Sequence, residues 1–382
     1  MRKYLVVCLA VLLGISILSA CGRTKATEVA GQSSVSGEVS SDDALKIVVT
    51  IFPEYDWVKQ ILGENSNAEV KMLLDNGVDL HSYQPSVDDI ISISECDLFV
   101  YVGGESDEWV EDALAEGNKT DRRVINLLEV LGDQVKAEEV VEGMEAEHDH
   151  DHDHGDADDD HDHEDADKEH EDHDHEDADE DHEDHDHEDA DEDHHDHDHE
   201  EEEEEMDEHV WLSLRNASAI CEAIAGELGQ IDPANSDTYM KNLKSYQDEL
   251  AKLDQEYAGA VNGAKTGTLL FADRFPFRYL VDDYSLNYYA AFVGCSAETE
   301  ASFQTILFLA NKVDELNLSA ILTIEGTDHK IAETVRNSTE KKDQKILSMD
   351  SMQGTTSKDV ADGKTYLSIM KANLDVLKEA IQ

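Results

Sequence analysis

The stretch Asp232–Gly263 reads "DPANSDTYMKNLKSYQDELAKLDQEYAGAVNG". Asp232-Pro233 has the pattern of an N-cap followed by a first-turn proline. Apolar residues recur at Tyr239, Leu243, Tyr246, Leu250, Leu253 and Tyr257. Their spacing alternates four and three residues, which traces one seam along a helix. With Gly263 as a stop, this predicts a helix of about 30 residues, some 45 Å long at about 1.5 Å per residue. The sequence on either side has a different grain. Upstream, the short β-branched or apolar runs "KIVVT", "EVKMLL", "DLFVYV" and "RVINL" alternate with the helical patterns "PEYDWVKQIL", "SVDDIISISE" and "DEWVEDALAE". Downstream, "TLLFA", "NYYAAF", "AILTIE" and "KILSM" alternate with "FRYLVDDY", "TEASFQTILFLANKVDEL", "HKIAETVRNST" and "TYLSIMKANLDVLKEAI". Alternating strands and helices predict parallel sheets. The expectation is an α/β fold of two lobes, each with a roughly four-stranded parallel sheet, joined by one long rigid helix and separated by a cleft.

The flanks of this body read differently. Arg2 and Lys3 precede the apolar run "YLVVCLAVLLGISIL", which ends in "LSAC". A charged start and a short apolar core make a signal peptide rather than a retained membrane span. The small residues before Cys21 make that cysteine the expected lipidation site, followed by a polar, Ser/Gly-rich tether. The expected organisation is a signal peptide (1–20), a lipidated flexible tether (21–45), an N-terminal lobe (46–144), an acidic insertion (145–208), the end of that lobe with the long helix (209–263), and a C-terminal lobe (264–382). The chain is then exported and anchored to the outer or periplasmic face of a membrane.

Charge is unevenly spread. The net charge is −62, and the stretch 145–208 holds 40 acidic residues against one lysine. Such a surface argues against nucleic-acid binding, which needs a basic footprint, and suits cation attraction. Cys96, Cys221 and Cys295 are odd in number, widely spaced and without a CxxC pair, so they read as buried thiols rather than a disulfide framework. Of 19 histidines, 16 lie between His148 and His199, leaving His81, His209 and His329. His81 follows the strand "EVKMLL", Asp273 ends "TLLFAD", Glu325 ends "AILTIE" and Asp350 ends "KILSMD". In open α/β sheets, ligands sit beyond the carboxyl ends of the strands. These polar residues therefore belong to one cleft.

Four segments carry a family resemblance: "VVTIFPEYDWVKQI", "MLLDNGVDLHSYQPSVDDI", "DLFVYVGGESDEWVE" and "DEHVWLS". They resemble the substrate-binding lipoproteins of zinc and manganese ABC transporters (cluster A-I), of the zinc type with a His-rich insertion. The resemblance covers Lys46 to Gln382 apart from the insertion, and "HSYQP" and "HVWLS" are its most specific pieces. It implies two lobes bridged by a long helix, one metal ion in the cleft, and a permease in the membrane as partner. On that basis His81 and His209 match the first two metal ligands. The third position departs from the pattern: in "FADRFPFRYL" the in-register residue is Arg274, which stays protonated and cannot bind a cation. Asp273, one residue earlier, is the substitute, Asp350 matches the fourth ligand, and Glu325 and His329 are alternatives.

Two imidazoles with one or two carboxylates suit Zn²⁺, and a second carboxylate also accommodates Mn²⁺. The tract favours zinc. It repeats with a period of 12 from His163, His175 and His187, and carries the pairs His161/His163, His173/His175, His185/His187 and His197/His199. Its composition supports disorder and weak recruitment of metal by neutral imidazoles among carboxylates. The expected function is an exported, monomeric, high-affinity zinc receptor that delivers its ion to an ABC permease and signals occupancy by small lobe shifts. Rival readings are a manganese-selective receptor, a surface metal buffer or adhesin-like protein without transport, and a zinc hydrolase. The last would need a general base, for which Glu325 is the candidate; no nucleophile elbow, HExxH or phosphate loop is present, and no enzyme is expected.

Overall fold

The computed structural model describes residues 44–63, 67–115, 119–145, 205–296 and 300–382. The segments expected as signal peptide and lipidation site (Cys21), most of the expected tether and every histidine of the acidic tract lie outside them. The described residues form one compact unit. Strand β1 (Leu45–Val49) leads into helix α1 (Phe52–Leu62), whose proline sits in the first turn. Strand β2 (Ala68–Met72), helix α2 (Val87–Glu95), strand β3 (Leu98–Tyr101), helix α3 (Trp109–Ala115) and strand β4 (Arg123–Asn126) complete the first sheet. A short helix α4 (Leu127–Leu131) follows directly. Its strand order is β2-β1-β3-β4, all parallel. After a single 3-10 turn (Val210–Leu212) come helix α5 (Leu214–Ile231) and the long helix α6 (Ser236–Asn262).

The second lobe repeats the plan. Strands β5 (Thr268–Phe275), β6 (Asn287–Val293), β7 (Ala320–Ile324) and β8 (Lys345–Met349) pair in the order β6-β5-β7-β8, again all parallel. They alternate with α7 (Arg278–Asp283), α8 (Phe303–Glu315), α9 (Lys330–Ser338), α10 (Ser357–Ala361) and α11 (Tyr366–Ala380). The expected two-lobe α/β fold with two four-stranded parallel sheets is therefore present. In both sheets the first strand is internal, so the strand order reverses beside it, and crevices at the carboxyl ends open there.

Three details differ from expectation. Asp232 closes α5 as its C-cap instead of opening α6, and its carboxylate accepts from Asn235 Nδ2 (2.7 Å) and Tyr239 Oη (2.8 Å). Helix α6, at 27 residues, does not span a gap, because its buried seam packs on α1, α5 and α11. The acidic insertion is tied in at both ends. Glu145 bridges to Phe292 and accepts from Ser302 N, while Met206 pairs with Ala137 and Asp207 and Glu208 are buried.

One hydrophobic core runs through both lobes, with a smaller one around Leu270, Leu309 and Ile321. Trp57, Trp211 and Tyr366 are wholly buried where the lobes meet. Trp57 and Tyr366 rings pack edge to face at 5.2 Å. Tyr366 Oη donates to Trp211 O (2.6 Å), Trp211 Nε1 donates to Ser351 O (2.8 Å), and Tyr366 N donates to Asp56 Oδ2 (3.1 Å). Buried polar groups paired in this way fix the lobes' relative position, since breaking any one leaves an unsatisfied partner.

Candidate metal centre

His81 lies in a 3-10 turn (Leu80–Ser82) after β2, capped by Asp79, whose carboxylate accepts from His81 N (3.1 Å). His209 immediately precedes the turn Val210–Leu212, and its backbone N donates to Asp207 Oδ1 (2.8 Å). These two histidines, 128 residues apart, bring their Nε2 atoms to 3.3 Å. Carboxylates stand behind both rings. His209 Nδ1 lies 3.1 Å from Asp207 Oδ1. His81 Nδ1 lies 2.7 Å from Ser106 Oγ and 3.4 Å from Glu208 Oε2. No hydrogen bond forms at the latter distance, and Glu208 Oε2 is buried without a hydrogen-bond partner. Glu208 Oε1 accepts from Ser106 N (2.9 Å). With a proton on each Nδ1, both Nε2 lone pairs point inward. Such carboxylate–imidazole pairs orient metal-binding rings and raise their basicity.

The side chain of Gln353, from the loop after β8, reaches between the rings. Its Nε2 lies 3.0 Å from His209 Nε2 and 3.3 Å from His81 Nε2, and its Oε1 lies 3.2 Å from Ser351 Oγ. An amide N–H donor there separates two lone pairs that would otherwise repel. The local backbone is shaped to this packing. A Cβ on Gly104 (φ +84°) would come within 2.3 Å of Glu208 Oε1, and one on Gly294 within 3.0 Å of His209 Cε1. Gly104 also holds a positive φ, which favours glycine.

The electrostatics follow from burial and neighbours. His81 is pushed down to about 3 by burial and by His209, with Arg274 adding to the fall and Asp79 opposing it. It is neutral at physiological pH and its lone pair is free for a cation. Burial lowers His209, yet the carboxylates of Asp207, Glu208 and Asp79 outweigh it and raise its pKa. Burial raises Glu208 above the usual carboxylate range. Burial, and then Glu138, Asp207 and Glu208, push the Cys295 thiol up.

A family description, "Zinc-uptake complex component A periplasmic", matches residues 47–380 of the chain. The chain belongs to this family. Among curated relatives, the zinc-binding protein AdcA of Streptococcus pyogenes is 26% identical over 341 residues, 89% of this chain and 57% of its own. The chain thus spans little more than half the length of that relative. The high-affinity zinc uptake system protein ZnuA of Bacillus subtilis is 27% identical over 372 residues, 96% of this chain and 97% of its own. The crystal structure of the Zn(II)-bound ZnuA-like domain of Streptococcus pneumoniae AdcA shares the fold. It matches with a TM-score of 0.60 and 24% identity, over 88% of this chain and 99% of that domain.

In this chain, the four second-lobe residues expected at the site are engaged elsewhere. Asp273 accepts from Arg274 N (2.9 Å), Ile324 N (3.2 Å) and Thr327 Oγ1 (3.1 Å), tying β5 to the end of β7. Glu325 accepts from Ser351 N (2.7 Å) and Ser351 Oγ (2.6 Å). Asp350 accepts from Met352 N (2.8 Å) and faces Lys364 at 3.8 Å. His329 is the left-handed N-cap of α9, 3.3 Å from Thr327 Oγ1. Among the described residues, the group of His, Cys, Asp or Glu side chains whose ligand atoms lie within 4.8 Å of one another is His81, His209 and Cys295. In sequence Cys295 reads as a buried thiol, although it follows strand "NYYAAF" by the same logic that singles out His81. Gln353 carried no signal, because an amide is common at any loop. Arg274 pairs with Asp79 Oδ2 (2.9 Å) and donates to Ser296 O (3.2 Å).

Proposed function

We propose that this chain is an exported receptor, lipid-anchored through Cys21, that binds one Zn²⁺ between its lobes and hands it to an ABC-type metal permease. The observation that carries this reading is the pair of inward-facing Nε2 atoms at 3.3 Å, each ring backed by a carboxylate. Two lone pairs held that close in a buried site favour a cation, and neutral imidazole suits zinc. Family membership and the names of its zinc-binding relatives support the choice of ion and the role in uptake.

Gln353 is the placeholder in this reading. Both of its acceptors are the atoms a zinc ion takes, so the amide must withdraw or turn its oxygen inward as the ion enters. It belongs to the C-terminal lobe, whereas His81 belongs to the N-terminal one. Occupancy is thereby reported across the lobe boundary by a side chain rather than by wide opening of a stitched core. The His-rich tract raises the local cation concentration at low affinity. No catalytic step is assigned, and Glu325, the base a hydrolytic reading needed, is held by Ser351. Isothermal calorimetry on the full chain tests the proposal. The double variant His81→Ala/His209→Ala should lose tight zinc binding while keeping the weak binding of the tract. Tight binding that survives both substitutions rules the site out.

A further inference from the structure

The zinc site described above lacks a third protein ligand from the position where "FADRFPFRYL" places an arginine. Arg274 leaves β5 and spans the cleft mouth. One guanidinium nitrogen pairs with Asp79, the residue that caps the turn of His81, and another donates to the backbone oxygen of Ser296, the neighbour of Cys295. The arginine thus ties the loop carrying His81 to the loop carrying Cys295. On its other side, Cys295 N donates to Glu138 Oε1 (3.1 Å). Gly294, just before it, packs so closely that a Cβ there would lie 2.9 Å from Phe275 O and 3.0 Å from His209 Cε1. The loop after β6 is therefore clamped at three consecutive residues, and the clamp sets the thiol beside both imidazoles.

Resting on the receptor reading, we propose that Cys295 is the third ligand and that the ion is held by one thiolate and two imidazoles, His81 and His209. Three such ligands with a fourth position left to water make a tetrahedral site that zinc accepts readily. A thiolate is a soft donor, so replacing the carboxylate expected from resemblance with sulfur selects zinc and disfavours manganese, which prefers oxygen. Binding exchanges the S–H bond for a Zn–S bond and releases one proton to solvent for each ion bound. Cys96 and Cys221 do not enter the argument: both are buried in the core, away from the cluster. The tract contains no cysteine, so a sulfur signature on a bound metal reports Cys295 and not the histidine repeats.

Cobalt(II) chloride added to the full metal-free chain is the direct probe. The expected result is a near-ultraviolet thiolate-to-cobalt charge-transfer band that titrates with the tight site, disappears on adding zinc chloride and is missing in Cys295→Ser. That variant should weaken zinc binding by more than about tenfold and narrow the preference for zinc over manganese. Zinc should also protect Cys295 of the unmodified chain from iodoacetamide, read by peptide mass spectrometry, which needs no variant to fold. Tight zinc binding without the sulfur band, with Cys295 alkylated equally fast in its presence, overturns the cysteine ligand alone. A chain with no tight zinc site at all overturns the receptor reading and this inference together.

Discussion

Asp107 is 3% exposed, and its carboxylate accepts from Gly103 N (3.0 Å). Burial pushes it up to about 7, with the charge of Glu208 adding to the rise. A carboxyl raised in the folded state favours folding fully below its ordinary value of 3.8 and loses that contribution as pH climbs through about 7. Over that window the loss runs at up to ~1.4 kcal/mol per pH unit. Asp107→Asn cannot titrate. Its unfolding free energy, measured in urea with chelator present, should therefore fall less between pH 5 and pH 8 than that of the parent. An equal fall in both would show that Asp107 is ionised in the fold. The acids behind the ligands were not legible in sequence, since Asp207 and Glu208 sit at the end of a run of like residues and only contacts separate them from it. His81 and His209 were legible because both adjoin folded, apolar sequence. The Arg274–Asp79 pair closes over 195 residues, which no spacing rule reaches.

Helix α6 shows what periodicity delivers and where it stops. The six seam residues Tyr239, Leu243, Tyr246, Leu250, Leu253 and Tyr257 are all buried. A seam states that one face is covered, but not by what; here the cover is α1, α5 and α11, so the helix is a shared wall and not a free strut. Leu250 is 1% exposed and Met240 is 48% exposed. Leu250→Ala should therefore cost ~2–5 kcal/mol from lost burial plus the cavity left behind. Met240→Ala should stay within about 0.5 kcal/mol. Urea unfolding of the zinc-free chain measures both, and equal costs would contradict the assignment of faces. Strands and long helices were readable because their periods repeat several times. Helices α4 and α10, five residues each, are too short to show a period. The Asp232-Pro233 boundary was misplaced because the same acid serves as well at a helix end, where Tyr239 and Asn235 donate to it.

Across the whole molecule, two tasks are assigned to different parts of the chain. The described residues form a compact unit that joins its lobes through Trp57, Trp211 and Tyr366, with Arg274 and Gln353 spanning the cleft beside the candidate ligands. All three clustered ligand atoms come from this unit, outside the histidine tract. The tract accounts for most of the net charge of −62 and for 16 of 19 histidines. Such a segment attracts cations over a range set by screening, roughly 8 Å at physiological ionic strength. Replacing its 16 histidines with asparagine, at constant length, separates the two tasks. Zinc calorimetry on that variant should still give one tight equivalent, while the weaker equivalents vanish. The zinc-induced gain in stability should persist, at about 2.7 kcal/mol when free zinc is about 100 times Kd. The weak equivalents of the parent should fade as salt rises, whereas the buried site should hold, because screening acts on exposed charge far more than on a desolvated pair of imidazoles. Loss of the tight equivalent in the asparagine variant would place at least one of its ligands in the tract and remove the cleft from the centre of the argument.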